Sequence, residues 1–450
     1  MISIDMNNEL ITAALAEYII EARLEDIPDD VINEAHRTLL NWVAVAVGGC
    51  KHQSVEIILQ TMPAANRNAS IFGRAEKTDA LNAALANGVS SHVFDFDDTH
   101  LATAIHPAGP VLSAIMPLVE NGNIDGGELI HSLILGVDIT CRLGLAVSPD
   151  HYDVGWHISG TAGIFGAAAA ASRLLQNSEK QTRWAFGLAA TQSSGMREMF
   201  GSMCKSFHIG NAAKNGLMSA MLAKNGFTSS EQGIEAKRGW ANVTSSNHDL
   251  SLATNGLGKK FLIMDNSYKP YACGVVVHPG IDGCVQLKNE HHLSPNEIER
   301  VDLRVNPLVL ELTGKKRPMT GLEGKFSIYH ACAVALQHGK GGEKEFSDTA
   351  VNDPLTRTLR DKVHAEVDAS IATSAMAIHI TTKDGRSLSK EIKQVVGSLE
   401  NPLGDSALDN KTRDLCQPIL GKEKTETLIE TCRNMAFLRD SSKVVRTATL

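Results

Sequence analysis

GGELIHSLILGVDITCRLGLAV, Gly126–Val147, carries apolar residues at helical spacing across its whole length and opens directly after the capping residue type Asp125. Neighbouring stretches read the same way. ALNAALANGVSSHVF (Ala80–Phe94), GPVLSAIMPLVENG (Gly109–Gly122), GTAGIFGAAAAASRLL (Gly160–Leu175) and SEKQTRWAFGLAATQSSG (Ser178–Gly195) are helical in period and end near Gly or Asn. Upstream, Pro28, Asp29 and Asp30 open VINEAHRTLLNWVAVAVGG, an acidic helix start closed by Gly48 and Gly49. HIGNAAKNGLMSAMLAKN, His208–Asn225, predicts one more helix. Few windows in this half alternate with period two, so little sheet is expected there.

The texture changes near Asp265. Pro270, Gly274 and Pro279 interrupt the pattern, and IERVDLRVN (Ile298–Asn306) alternates as a half-buried strand does. SAMAIHITTKDGRSLSKEIK (Ser374–Lys393) predicts two strands around Asp384–Gly385. KFSIYHACAVAL and NDPLTRTLRDKVHAEV, between these strands, read as helices, and the tail from Asp409 reads as helical again. The expectation is a mainly α protein: an all-helical domain over residues 1–265 and 396–450, and a smaller α+β lid domain over 266–395.

With 450 residues, two domains are the natural division. Hydrophobic residues at 43% and charged residues at 21% fit a globular chain, and a net charge of −8 argues against nucleic-acid binding. MISIDMNNEL has no basic or apolar leader pattern, and Ala162–Ala171, the most apolar run, falls short of the roughly 20 residues of a membrane span. A cytoplasmic protein without membrane partners is expected. The eight cysteines form no CxxC pair and are read as free thiols.

Chemistry concentrates in a few segments. HVFDFDDTHLATAIHP places His92, Asp95, Asp97, Asp98, Thr99, His100 and His106 together. Carboxylates beside imidazoles suit acid–base work, a divalent metal, or a solvated acidic helix end. GWHISGTAG puts His157 before a Gly-rich helix start, where Ser159 or Thr161 would leave backbone N–H groups free for an anion. MCKSFHIGNAAKNG sets Lys205 and His208 on one helical face as a carboxylate clamp, with Cys204 read as packing. SYKPYACGVVVHPG brings Lys269, Tyr271, Cys273 and His278 to the domain junction, and GKFSIYH adds Tyr329 and His330. GxGxxG after a strand, GxxxxGK[ST], HExxH and GxSxG are all missing, which removes the usual support for dehydrogenase, P-loop, zincin and α/β-hydrolase readings.

DFDDT followed by HP, GWH before a Gly/Ala-rich helix, K-x-x-H-x-G-x-A-A-K-N-G, YKPYAC, and KFS with a Tyr stand in the order found in the MmgE/PrpD family, which this sequence resembles from about Ala13 to Leu403. That family includes 2-methylcitrate dehydratase, cis-aconitate decarboxylase and iminodisuccinate epimerase. The resemblance implies a helical domain with an α+β lid, a homodimer, and a small carboxylic acid as substrate. It implies no cofactor and no metal. It also implies catalytic roles for His106, Asp95, His157 and Tyr329, and substrate binding by Thr99, Lys205, His208 and Lys269. His106 is the expected acid or base and Asp95 its orienting partner; Tyr329 would arrive from the lid. A dehydratase of 2-methylcitrate type or an aconitate-type decarboxylase is expected, with an epimerase or racemase, or a non-catalytic carboxylate-binding protein, as rivals. Two departures stand out against the mammalian cis-aconitate decarboxylases. The Asp95–His106 stretch is longer here, and Gly274 occupies the place of a His. His278, a turn further on, is the candidate to replace it.

Overall fold

The computed structural model describes residues 11–63 and 66–450. The N-terminal MISIDMNNEL stretch lies outside them. Of the described residues, 59% are helical and 9% are strand, a mainly α protein with a smaller α+β part as expected.

The helical body contains α1 (Ile11–Glu21), α2 (Asp29–Gly49), α3 (Gln53–Thr61), α4 (Ala80–His92), α5 (Ala108–Asn121), α6 (Gly126–Val147), α7 (Gly163–Leu174), α8 (Glu179–Ala190) and α9 (Met203–Lys224). The caps are those that the residue types favour. Asp79 accepts from Asn82 N–H, Asp125 from Glu128 N–H, and Ser178 forms a capping box with Gln181. Helix α9 begins at Met203, ahead of the predicted His208, because Ser202 caps it by accepting from Cys204 N–H.

Alanine-rich α7 packs among α5, α6, α8 and α9. Small residues set the approach. A Cβ on Gly166 would come within 2.3 Å of Gly136 O, and one on Gly88 within 2.6 Å of Gly210 Cα, so neither the α6–α7 nor the α4–α9 crossing tolerates a side chain at these positions. Helix α6 is 22 residues long and apolar enough by length and composition to cross a bilayer, which the shorter Ala162–Ala171 run is not; its apolar window is 94% buried within the fold. Its buried Asp138 and Arg142 pair at 2.6 Å. Arg142 also donates to the carbonyls of Asn255, Gly256 and Lys260, while Asp138 accepts from Leu262 N–H. This buried pair anchors the segment that leads into the site.

That segment continues into β2 (Asn266–Tyr268), which pairs antiparallel with β1 (Asp98–His100), Thr99 standing opposite Ser267. The α+β part follows, with α10 (His278–His291), β3 (Ile298–Val305), α11 (Ile328–His338), β4 (Val363–Val367), β5 (Met376–Thr382) and β6 (Ser387–Ile392). The sheet order is β4-β3-β5-β6. The hairpin predicted at Asp384–Gly385 is present, with Gly385 at φ +87° in the turn. The stretch read as one helix, NDPLTRTLRDKVHAEV, divides: Pro354–Arg360 is helical, and Val363–Val367 runs parallel to β3 as an added strand. Alternation over Val363, Ala365 and Val367 decides the second half. α12 (Asp405–Leu420) and α13 (Lys422–Arg433) return to the helical body against α2.

Candidate active site

Asp95 follows the last turn of α4 in a left-handed conformation, φ +50°, with its N–H returned to His92 O at 2.9 Å. The unusual backbone turns its carboxylate inward, where Lys205 from α9 donates at 3.0 Å and Lys269, just after β2, donates at 2.7 Å. Lys269 also donates to Asp95 O at 3.0 Å. Burial alone would raise the Asp95 pKa; the ammonium groups of Lys205 and Lys269 override it and hold the carboxyl well below its usual range. Burial lowers the pKa of Lys205, with the Asp95 charge opposing that shift. Two ammonium groups stand against one carboxylate at the cavity lining, a setting for an anion inside a chain that is acidic overall, while the ionised Asp97 carboxylate lies behind them against His92.

His92 and Asp97 form a second layer. Lys205 Nζ lies 2.8 Å from His92 Nε2, and His92 Nδ1 lies 2.7 Å from Asp97 Oδ2. An ammonium can only donate, so His92 accepts at Nε2 and donates from Nδ1. His106 is fixed by the same logic. Its Nδ1 lies 2.7 Å from Asp98 O, a carbonyl that can only accept, so the neutral ring keeps its proton there and presents a bare Nε2 to Asp95 Oδ1, 3.8 Å away, and to the cavity. Thr99 Oγ1 sits 3.3 Å from the same Nδ1, and Ser159 accepts from His106 N–H at 3.0 Å. Burial lowers the His106 pKa to about 3, with Asp97 pulling the other way, so the ring is neutral in the resting site.

Asp95, Thr99, His106, His157, Lys205 and Lys269 line one cavity of about 200 Å³. Leu101, Val275, Leu308, Leu312, Phe326 and Val395 line the same cavity, so its lining combines cationic and apolar side chains, and the Phe326 ring lies 5.5 Å from Lys205 Nζ. His92, Asp95, Asp97 and His106 bring possible ligand atoms within 4.8 Å of one another, the arrangement a metal would use. Both lysines already rest on Asp95, however, and a divalent cation there would meet two ammonium groups at close range.

Several expectations change. His208 does not line the cavity: its Nδ1 contacts His157 Nδ1 at 2.9 Å, behind the wall. Tyr329 is buried in the first turn of α11 under the Lys316 ammonium and is also off the wall; Phe326, just before the Ser327 cap of that helix, supplies the aromatic surface instead. Of the N–H groups expected to be free after His157, those of Gly160 and Thr161 are used, since both donate to His157 O. His278 turns to Cys273 O at 3.3 Å and does not line the cavity beside Gly274. Phe200, whose ring meets His157 edge-on at 5.0 Å, and Tyr152 also line the cavity; a lone aromatic carries no sequence signal of that kind.

Comparison with known proteins agrees with the motif order. The MmgE/PrpD N-terminal domain matches residues 13–253, and the MmgE/PrpD C-terminal domain matches residues 271–435. The chain belongs to the MmgE/PrpD family. Within it, the chain is 26% identical over 453 residues to the human cis-aconitate decarboxylase, covering 96% of this chain and 93% of that protein. It is 24% identical over 467 residues to the cis-aconitate decarboxylase-like protein oryM of Aspergillus oryzae (97% and 96% covered). The cis-aconitate decarboxylase of Aspergillus terreus is 24% identical over 469 residues (97% and 95% covered). The family motifs quoted above supply Asp95, Thr99, His106, His157, Lys205 and Lys269 of the cavity lining.

Proposed function

We propose that this chain is a lyase that releases carbon dioxide from a small di- or tricarboxylic acid of aconitate type, with its own side chains as acid and base. The observation that carries the proposal is the mixed lining of one cavity, which holds two lysine ammonium groups together with a set of aliphatic side chains. A retained carboxylate binds at Lys205 and Lys269. A departing carboxylate against Leu101 and Leu312 is poorly solvated as an anion, and its loss as neutral CO₂ relieves that cost. As the C–C bond breaks, its electron pair stays with the substrate and spreads through an sp² carbon to the retained carboxylate, where the lysines stabilise it. The carbon then takes a proton. An anionic substrate raises the proton affinity of His106, whose Nε2 faces the cavity, so the imidazolium forms on binding and supplies that proton. The human and Aspergillus relatives named as cis-aconitate decarboxylases support the substrate class.

Dehydration of 2-methylcitrate type is the second reading, favoured by the bare His106 Nε2 of the resting site, which is ready to remove an α-proton. Proton NMR in D₂O on chelator-treated protein separates the two. The panel is 2-methylcitrate, citrate, cis- and trans-aconitate, and substituted succinates. An itaconate-like product with one carbon lost supports decarboxylation, and vinyl signals with every carbon retained support dehydration. Deuterium exchange with the skeleton intact would replace both with an epimerase, and saturable binding without product would leave a carboxylate-binding protein.

A further inference from the structure

His157 and His208 meet nitrogen to nitrogen at 2.9 Å, Nδ1 to Nδ1, and one proton lies between them. Which ring owns it decides what His157 presents to the cavity. If His157 donates, its Nε2 is bare; if His208 donates, the His157 proton sits on Nε2. Both rings are neutral in the resting protein. Burial holds the His208 pKa near 4, and burial together with Lys205 holds His157 well below its ordinary value.

The far side of His208 settles the direction. Its Nε2 lies 3.8 Å from Cys204 Sγ, four residues earlier on α9. His208 Nε2 is the hydrogen-bond partner that this sulfur has among the described residues, and an imidazole nitrogen is a better acceptor than a thiol sulfur, which favours the S–H as donor. With S–H donating, His208 Nε2 is the acceptor, its proton sits on Nδ1, and it donates to His157. The loop beside the rings is shaped to hold this line. Gly195 O accepts from His157 N–H at 3.0 Å, and Gly195 itself lies against the His208 ring at φ +130°, where an added Cβ would meet His208 Cγ at 3.1 Å.

We propose that Cys204 and His208 are positioning residues that lock His157 as the Nε2–H tautomer. His157 is then a neutral hydrogen-bond donor to the oxygen on which charge builds, in the cavity that His106 also lines. The two histidines of one cavity are held in opposite tautomers, one by a carbonyl and one by a thiol. Neither positioning residue lines the cavity, and no proton leaves the line; its effect is to fix where the His157 proton stands. The benefit to turnover rests on the carboxylate chemistry proposed above, whereas the tautomer is a property of the resting protein.

The test is ¹⁵N NMR of histidine-labelled protein without substrate, with the His157 signals assigned by their loss in His157→Gln. The wild-type protein should show a protonated Nε2 and a bare Nδ1 at His157. Cys204→Val, which removes the thiol proton at similar volume, should show both tautomers. It should also lower kcat roughly twofold at unchanged KM, since about half the molecules then hold the donor form. A proton on His157 Nδ1 in the wild type would overturn the proposal, as would a His157 tautomer indifferent to Cys204→Val. If no carboxylate in the panel is turned over, the functional reading fails, and the NMR result still decides the tautomer.

Discussion

Asp98→Asn probes a buried acid that supports the site from behind. Asp98 is fully buried, and its backbone carbonyl holds His106. Its Oδ2 accepts from Asn266 Nδ2 at 2.7 Å and from Ala108 N–H at 3.2 Å, while Oδ1 has no partner among the described residues. Burial, and after it the Asp97 charge, raises its pKa from 3.8 to about 7. A carboxyl raised in this way binds its proton more tightly in the folded than in the unfolded state. Its contribution to stability is therefore intact below pH 4 and is lost as pH rises through 7. For these two pKa values the loss is roughly 2 kcal/mol at pH 5 and roughly 4 kcal/mol at pH 8, a change of about 2–3 kcal/mol. Asparagine cannot ionise, so the variant escapes that change. It also places an amide N–H₂ where Oδ1 has no partner, a pH-independent cost of about 1–3 kcal/mol. The informative quantity is the gap between variant and wild type in urea unfolding at the two pH values. It should move by about 2–3 kcal/mol in favour of Asp98→Asn on going from pH 5 to pH 8. A gap that stays constant would mean that Asp98 does not titrate in this window and would refute the reasoning.

Four further predictions bear on the site itself. His106→Gln should cut turnover by about 10²–10⁴ with little change in melting temperature, and near-normal rates would remove it from the chemistry. Lys205→Ala should raise KM as well as lower kcat, because a cation on the retained carboxylate acts in ground and transition states alike; an unchanged KM would show that it contributes only later. Tyr329→Phe should leave steady-state rates intact, since the ring lies off the cavity wall, and a loss beyond about tenfold would show that the hydroxyl reaches the substrate when the structure closes. Gly274→His should fold, since a Cβ there finds its nearest neighbours, Lys325 O and Thr313 Cγ2, at an ordinary 3.5 Å. It should favour cis-aconitate over the other acids of the panel, and an unaltered preference would count against Gly274 as a determinant of specificity.

The helical body was legible because period and caps agree there: Asp125 and Ser178 start helices where their residue types predict, and the acidic Asp29–Asp30 pair follows Pro28 into α2. The polar cluster from Asp95 to His106 was legible because six of its residues fall within one short run. The joining of Lys269 to Asp95 was not. It depends on β1 and β2, three residues each, too short to show a period, pairing across more than half of the helical body. His208 was read on the same face as Lys205, and spacing does place them together; which side chain reaches the cavity depends on what lies opposite, and there His157 takes His208. Tyr329 shows the same limit, since Ser327 starts α11 and turns the ring onto the core. Lys411 gave no signal at all: its surroundings come from three distant segments.

That last residue bears on how the enzyme is made. From α12, the buried Lys411 side chain donates to Asn41 Oδ1, to Phe96 O and to Lys269 O, the latter two being carbonyls of the stretches of chain that carry Asp95 and the second cavity lysine. The cavity walls are therefore stitched together by a group that the ribosome delivers late, long after Asp95 and both cavity lysines have emerged. A nascent chain paused before residue 411 already holds the acids and bases of the cavity but not the group that joins the backbone segments of Phe96 and Lys269, so that join forms only after α12 has emerged.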